Sequence, residues 1–439
     1  MAGLRYTHLL AGLALAATTL WNVRGTTAAE PPAYNAQEAP APEISPPGRG
    51  PAETVMARPR PDYDPTGYEL GGFRIFPEVV VSAGFDDNIF RTDGGEKGDF
   101  ISVVRPRIQM RSDFGQHRLD ITAEAAAGFY AENDTENFVD YRADARGHVD
   151  ILRGLRLESA LTFERGHEDR GSPDAGGGAE PTEFDRLAAL AVLAGQSGRF
   201  RYRLGLGTTS LDFHNVRAVG GGTLNNDDRD HTQLDLFGRV SMDFGPDLRA
   251  FTSLGYRQSE FQSAVDYSGI SRGSSSTSTI FGLEYDSGGI WFARAYGGYR
   301  QQVFDDVSLT DVSGAIVGGQ VTGNITPLTT VTAKADRDIV ETTVAGASSY
   351  WDTSLRLRAD HELLRNLILS GAIRARQNDF RGIDRSDRII GGGLALRWLT
   401  NRSVWFTLDV DFDQRTSSGA SRGTDFSQSR VFLRLVLQP

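Results

Sequence analysis

An all-β chain, folded as a single transmembrane antiparallel up-and-down barrel of about 18 strands, is the fold class that three observations predict. The first is a period of two. From Val139 onward every second residue is apolar, aromatic or small: Val139, Tyr141, Ala143, Ala145, Gly147, Val149 and Ile151. Between them stand Asp140, Arg142, Asp144, Arg146, His148 and Asp150, each able to carry charge. Successive side chains of a strand point to opposite faces, so this stretch has one lipid-like face and one ionic face. The second observation is length. The alternation lasts about a dozen residues, where ordinary strands run about five or six and a bilayer-crossing strand needs roughly 9–11. The third is composition. The 439 residues include 50 glycines and no cysteine, and past the N-terminus there is no apolar run of the roughly 18 residues a membrane helix needs.

Composition also excludes function classes. Without cysteine there is no disulfide, thiolate zinc site, iron–sulfur cluster or cysteine-borne lipid anchor. A net charge of −11 argues against a nucleic-acid partner.

Taken in order, Met1 to about Ala29 reads as a signal peptide. Arg5 and His8 precede the apolar stretch Leu9–Leu20, and Thr27-Ala28-Ala29 offers small residues for cleavage. Residues 30–72 form a proline-rich tract with no apolar period, expected to be a disordered periplasmic leader. The barrel is expected over residues 73–439, with the strand pattern beginning at Phe76.

Clear strands are Arg118–Tyr130, Phe200–Leu211, Thr232–Asp243, Trp351–Asp360, Leu367–Arg376, Val404–Asp413 and Arg430–Leu437. Short connections, such as Arg153-Gly154, alternate with long ones, such as Glu168–Thr182 and Asn215–Asp230. Outer-membrane barrels have short periplasmic turns and long outer loops, so both chain ends belong in the periplasm. Trp291, Tyr350, Trp351, Trp398 and Tyr130 lie toward strand ends, where an interfacial girdle would place them. The last strand alternates Val431, Leu433, Leu435 and Leu437 outward with Arg430, Phe432, Arg434 and Val436 inward. Pairing it with the first strand would leave no open edge in lipid.

Several motifs carry a family resemblance. They are Phe85-Asp86-Asp87-Asn88-Ile89-Phe90, His167-Glu168-Asp169-Arg170, Asn225-Asn226-Asp227-Asp228-Arg229-Asp230, Asp360-His361-Glu362-Leu363 with Arg365-Asn366-Leu367, and the closing Arg430-Val431-Phe432-Leu433. In this order they resemble the type 2 β-barrel porins often found near exopolysaccharide and capsule clusters. The resemblance covers residue 76 to the end. It implies an outer-membrane barrel that is a conduit or accessory in surface polysaccharide export. The implied partners are outer-membrane lipid and lipopolysaccharide, the barrel assembly machinery and periplasmic export components.

The residues expected to line the lumen are Asp140, Arg142, Asp144, Arg146, Arg156, Glu158, Arg356, Arg358, Arg374, Arg376, Asp409 and Asp411. A wet channel with charges of both signs would offer hydroxyls many hydrogen-bond partners. The alternative is a lumen filled by salt bridges that only stabilise the barrel, a non-conducting scaffold. A barrel hydrolase is a third reading, prompted by His167-Glu168-Asp169 and Asp360-His361-Glu362; neither G-x-S-x-G nor H-E-x-x-H occurs. Asp86-Asp87-Asn88 and Asp227-Asp228-Arg229-Asp230 supply oxygen ligands of the kind calcium takes, but lack the spacing of a calcium loop. The expectation is no cofactor, no metal and no enzymatic activity.

Overall fold

The computed structural model describes residues 54–439. The expected signal peptide and the leader up to residue 53 lie outside the described residues. Eighteen antiparallel strands form a closed barrel. They are β1 (Phe73–Asp86), β2 (Asp99–Ser112), β3 (Arg118–Tyr130), β4 (Phe138–Leu152), β5 (Leu155–His167), β6 (Glu183–Ser197), β7 (Phe200–Phe213), β8 (His231–Asp243) and β9 (Leu248–Phe261). The ring continues with β10 (Ser274–Asp286), β11 (Trp291–Phe304), β12 (Val312–Thr326), β13 (Thr329–Glu341), β14 (Ser349–Leu364), β15 (Leu367–Arg381), β16 (Ser386–Leu399), β17 (Val404–Ser418) and β18 (Phe426–Leu437). Each strand pairs with its sequence neighbour, and β18 closes on β1 from Leu437 opposite Val79 to Arg430 opposite Asp86.

Below Val79 the edge of β1 is not covered by β18. A short strand, Tyr68–Leu70, covers it instead, pairing with Phe73–Ile75. Gly71, at φ +57°, makes the tight turn between them. The last part of the expected leader therefore completes the sheet edge, which would otherwise present unpaired backbone groups.

Eight short turns of two to five residues stand at one end of the barrel, and at the other stand eight connections of seven to seventeen residues and one of four. These are called here the turn mouth and the loop mouth. The expected strands lie within the observed ones, and several of these run further toward the loop mouth. Val404–Asp413 continues to Ser418, and Leu367–Arg376 continues to Arg381. In these extensions the outward positions are polar, as at Gln414, Thr416 and Ser418. The backbone ladder continues where the apolar signal has stopped.

The outward face is an exposed apolar belt that includes Leu161, Phe163, Leu204, Phe281, Leu355, Ile373, Leu394 and Leu433. A contiguous patch of that extent marks a lipid-contacting surface rather than a soluble one. The inward face carries the charges, as the strict alternation of β18 shows.

The girdle expectation needs correction. Trp291 and Trp398 are half-exposed at the turn mouth, but Tyr350 and Trp351 are buried and Tyr130 packs beside Ile89, Ile101 and Phe432. The physical cause is a split in the sheet. β12 and β13 pair only from Val317 and Arg337 downward, whereas β13 and β14 remain paired up to Glu341 and Ser349. Freed from β12, the β13–β14 hairpin folds inward. Ile339 and Trp351 then pack on Val312, Ile316 and Ile280 of the neighbouring wall.

Candidate functional site: the lumen wall and the loop mouth

On β4 the inward register places Arg142, Asp144 and Arg146 in a row. Asp144 accepts from Arg142 at 2.7 Å, from Arg146 at 3.3 Å and from the Thr162 hydroxyl at 2.7 Å. Arg142 also reaches Glu164 at 3.7 Å. Asp140, one step nearer the loop mouth, holds His167 at 2.9 Å. Arg156 pairs loosely with Asp150, at 3.9 Å, toward the turn mouth.

Across the barrel, Arg358 binds Asp360 at 2.7 Å and Arg376 binds Asp352 at 3.2 Å. Arg374 binds Asp413 at 2.5 Å and Asp411 at 3.4 Å. Asp409 lies 3.2 Å from Arg434. Arg356 stands directly opposite Arg374 on the neighbouring strand, is exposed, and has no carboxylate in ion-pair distance among the described residues.

Two of the expected set are buried: Asp409, beside Arg434, and Glu158, which is fully buried and paired with Arg203. Near Glu158 on the same face lies a further cluster of charged groups. Arg239 donates to Glu284 at 2.6 Å, Arg249 lies 3.4 Å from the same carboxylate, and Arg249 binds Asp243 at 2.7 Å. The Arg239 guanidinium lies 3.6 Å from the ring centre of Phe251. Arg203, Glu284 and Arg294 all fall on the inward register of β7, β10 and β11, and that alternation was the available signal.

At the loop mouth, the motif His167-Glu168-Asp169-Arg170 is a hub. His167 holds Asp140 of β4. Glu168 takes both arms of Arg229 from residues 214–230, at 2.9 and 2.5 Å. Asp169 binds Arg91 from residues 87–98 at 2.7 Å. Arg170 clasps Glu136 from residues 131–137 at 2.9 and 2.5 Å. Four consecutive side chains thus tie four different parts of the chain together. The catalytic reading of this motif has no geometry to stand on, because the three groups diverge to separate partners. The same divergence holds at Asp360-His361-Glu362, whose side chains meet Arg358, Thr329 and Arg60.

The other motifs lock their own loops. Asp86 accepts the Asn88 amide at 2.9 Å, and Asn88 donates to the carbonyls of Thr92 and Ser427. Asp87 accepts the Ser429 amide at 2.7 Å, fixing the loop to β18. Asp227 has no ion pair among the described residues; its amide donates to Asn225. Asp228 accepts the Tyr267 amide at 3.3 Å. Among the described residues no group of three or more candidate ligands stands close enough to hold a metal ion. Burial pushes the Asp230 carboxyl up to about 6, with Asp212 and Asp227 adding to the shift. Burial would raise Asp169 too, but the Arg91 guanidinium, the Gly171 amide and Arg430 together hold it below its ordinary range.

The hub positions residues 171–182, and these meet the infolded hairpin. Asp174 accepts from the Thr342 hydroxyl at 2.6 Å and from the Thr343 amide at 2.7 Å. Residues 168–182 join β5 to β6 and residues 342–348 join β13 to β14, so the two loops root nearly opposite each other on the ring. Their contact spans the mouth. Below it, Glu341 accepts from Gln302 at 2.5 Å, Ser274 at 2.8 Å and Ser259 at 3.2 Å on the β9–β11 wall. The seven-residue connection at 342–348 was not read as a long loop, because its reach comes from the bend of the hairpin and not from its length.

Comparisons with known proteins follow this geometry. The sequence profile of the family described as putative beta-barrel porin 2 matches residues 60–439. No curated protein matches. Among solved structures, Pseudomonas aeruginosa OccK3 (OpdO) is similar at 16% identity and a TM-score of 0.42, over 83% of this chain and 96% of that one. Pseudomonas aeruginosa OccK1 (OpdK) is similar at 12% identity and a TM-score of 0.43, over 83% and 99%. OccK2 (OpdF) of the same organism, in complex with glucuronate, is similar at 12% identity and a TM-score of 0.44, over 83% and 98%.

Proposed function

The chain belongs to the putative beta-barrel porin 2 family, and from that premise we propose that this outer-membrane barrel is a passive conduit for a surface polysaccharide or a similar hydrated polar solute. The observation that supports the reading is the partly exposed ionic wall. Arg142, Arg146, Arg374, Arg376 and Asp411 all keep water contact at mid-height. Sugar hydroxyls can donate to such carboxylates and accept from such guanidinium groups at every step. Weak repeated binding of this kind lets a chain enter and leave, whereas one tight site would stop transit.

Ring size supports it as well, since barrels of roughly 16–18 strands leave an aqueous channel. The facing Arg356 and Arg374 add a selective element. Like charges directly opposite on neighbouring strands are unfavourable, and an anionic group on the passing solute would relieve them. The loop mouth faces outward, because long loops lie outside in such barrels. Periplasmic export components would then meet the turn mouth.

A non-conducting scaffold is the second reading, favoured by the loop contact that spans the mouth at Asp174. Planar bilayers separate the two. Purified barrel should conduct, and an acidic oligosaccharide added to one chamber should interrupt the current briefly. Silent bilayers containing folded barrel would reject the conduit and leave the scaffold.

A further inference from the structure

The lumen face is ionic for most of its height, yet at the turn mouth Ile368, Leu399 and Trp405 occupy inward positions. Apolar side chains facing a wet mouth need a cover. Residues 54–64 supply it. Val55 is 1% exposed and packs on Ile368 and Leu399, with Met56, Tyr63 and Trp405 around it.

Polar contacts fix the register of this segment. The Val55 amide donates to the Thr330 hydroxyl of β13 at 2.8 Å. Arg60 binds Glu362 of β14 at 2.9 Å, and Arg58 lies 3.5 Å from the same carboxylate. Arg402, in the turn between β16 and β17, donates to the Pro61 carbonyl at 2.8 Å. The segment also holds its own shape. Thr54 accepts the Ala57 amide through its hydroxyl at 3.1 Å, and Asp64 accepts the Arg60 amide at 2.7 Å. From Thr330 the chain runs round the inside of the rim until Tyr68 joins β1.

We propose that the inner rim of β13–β17 is a peptide-binding site, occupied in cis by Thr54–Asp64, and that this strap is a releasable closure of the turn mouth. The site takes a peptide with an apolar residue followed by arginines. Ile368 and Leu399 form its floor, Glu362 reads the arginines and Thr330 reads the backbone. Both ion pairs of Glu362 among the described residues go to the strap, so that carboxylate serves docking rather than the wall. The strap is tied to the strand ladder only beyond its C-terminal end, through Tyr68–Leu70, so it can leave the rim without disturbing the ladder.

The inference rests on the conduit reading, and the test separates the two. The chain has no cysteine, so Arg60→Cys with Glu362→Cys in the full-length protein can be joined by a bis(methanethiosulfonate) cross-linker, each thiolate displacing a methanesulfinate to form a disulfide that reductant reopens. In planar bilayers the cross-linked barrel should show a low, steady unitary conductance. Adding reductant to the same channel should raise it about twofold, because a constriction at one mouth limits the whole path. Arg60→Glu, which repels Glu362, should give the raised level from the start. Equal, measurable conductance in locked, reduced and Arg60→Glu protein would overturn the strap and leave the conduit standing. No conductance in any form would overturn both. The reductant step works within one folded molecule, so poor folding of Arg60→Glu alone would not decide the matter.

Discussion

Arg146 and Glu158 sit on neighbouring strands, on the same inward register, and live in different solvents. The Arg146 side chain is 48% exposed and shares Asp144 with Arg142. Glu158 is 0% exposed and is held by a single arginine, Arg203. Around the lumen the division continues. The walls at β2–β4 and β13–β17 keep water on most of their charges. The β5–β11 wall near the turn mouth buries Glu284 between Arg239 and Arg249, with the Arg239 guanidinium over the Phe251 ring. Identical residue types on one face can therefore do two jobs. Wet charges tolerate change because water replaces a lost partner. Dry charges do not, because a lone buried ion has no substitute for its partner.

The comparison can be broken at its dry side. Arg203→Ala leaves Glu158 buried without its cation. It should cost about 3–5 kcal/mol, seen as a lower urea midpoint for loss of heat-modifiable migration in vesicles. A cost under about 1 kcal/mol would mean that water reaches Glu158.

The outward face of the same strand gives a third environment. Leu161 is at the middle of β5 and exposed on the apolar belt. Leu161→Arg should cost about 2–4 kcal/mol if that position lies at the bilayer midplane. Unchanged stability, measured the same way, would contradict the lipid-facing register. On the wet wall, Arg146→Ala should change stability by less than about 1 kcal/mol.

The smallest effect concerns pH. Asp230 holds its proton up to about pH 6 in the folded protein, raised by burial from its ordinary value of 3.8. Folding therefore takes up a proton between these values. Stability should rise as pH falls through about 6 and level off near 4. Asp230→Asn should flatten that segment of the profile. A wild-type curve with no slope there would show the carboxyl to be solvated.

How far these environments can be read in advance follows from what a sequence encodes. Alternation alone gives the register, and it sets Arg142, Asp144, Arg374 and Asp411 on the polar side of their strands. The turn at Arg153-Gly154 was legible for the same local reason. The wet and dry division was not, because alternation sets a charge and a ring on the same face without saying which way the ring leans, as Phe251 of the adjoining strand β9 leans over Arg239 of β8. The hub was legible only as a motif. Its partners, Arg229, Arg91 and Glu136, lie far away in the chain and meet it only once the ring has closed. The docking of residues 54–64 was hidden by their prolines and lack of period, since their apolar anchor is essentially one residue, Val55. The inward bend of β13–β14 left no periodic trace, because both of its faces pack on protein.

The central claim is that the wet wall carries the path while the dry cluster holds the barrel. The most direct test is the reversal potential, across a salt gradient in planar bilayers, of Arg142→Glu/Arg146→Glu protein beside wild type. Both side chains keep water contact, at 28% and 48% exposure, so the account predicts a barrel with normal heat-modifiable migration whose reversal potential moves toward cation preference, because lumen charges tune selectivity. A variant that fails to form a barrel, or one that conducts with the reversal potential of wild type, would contradict it.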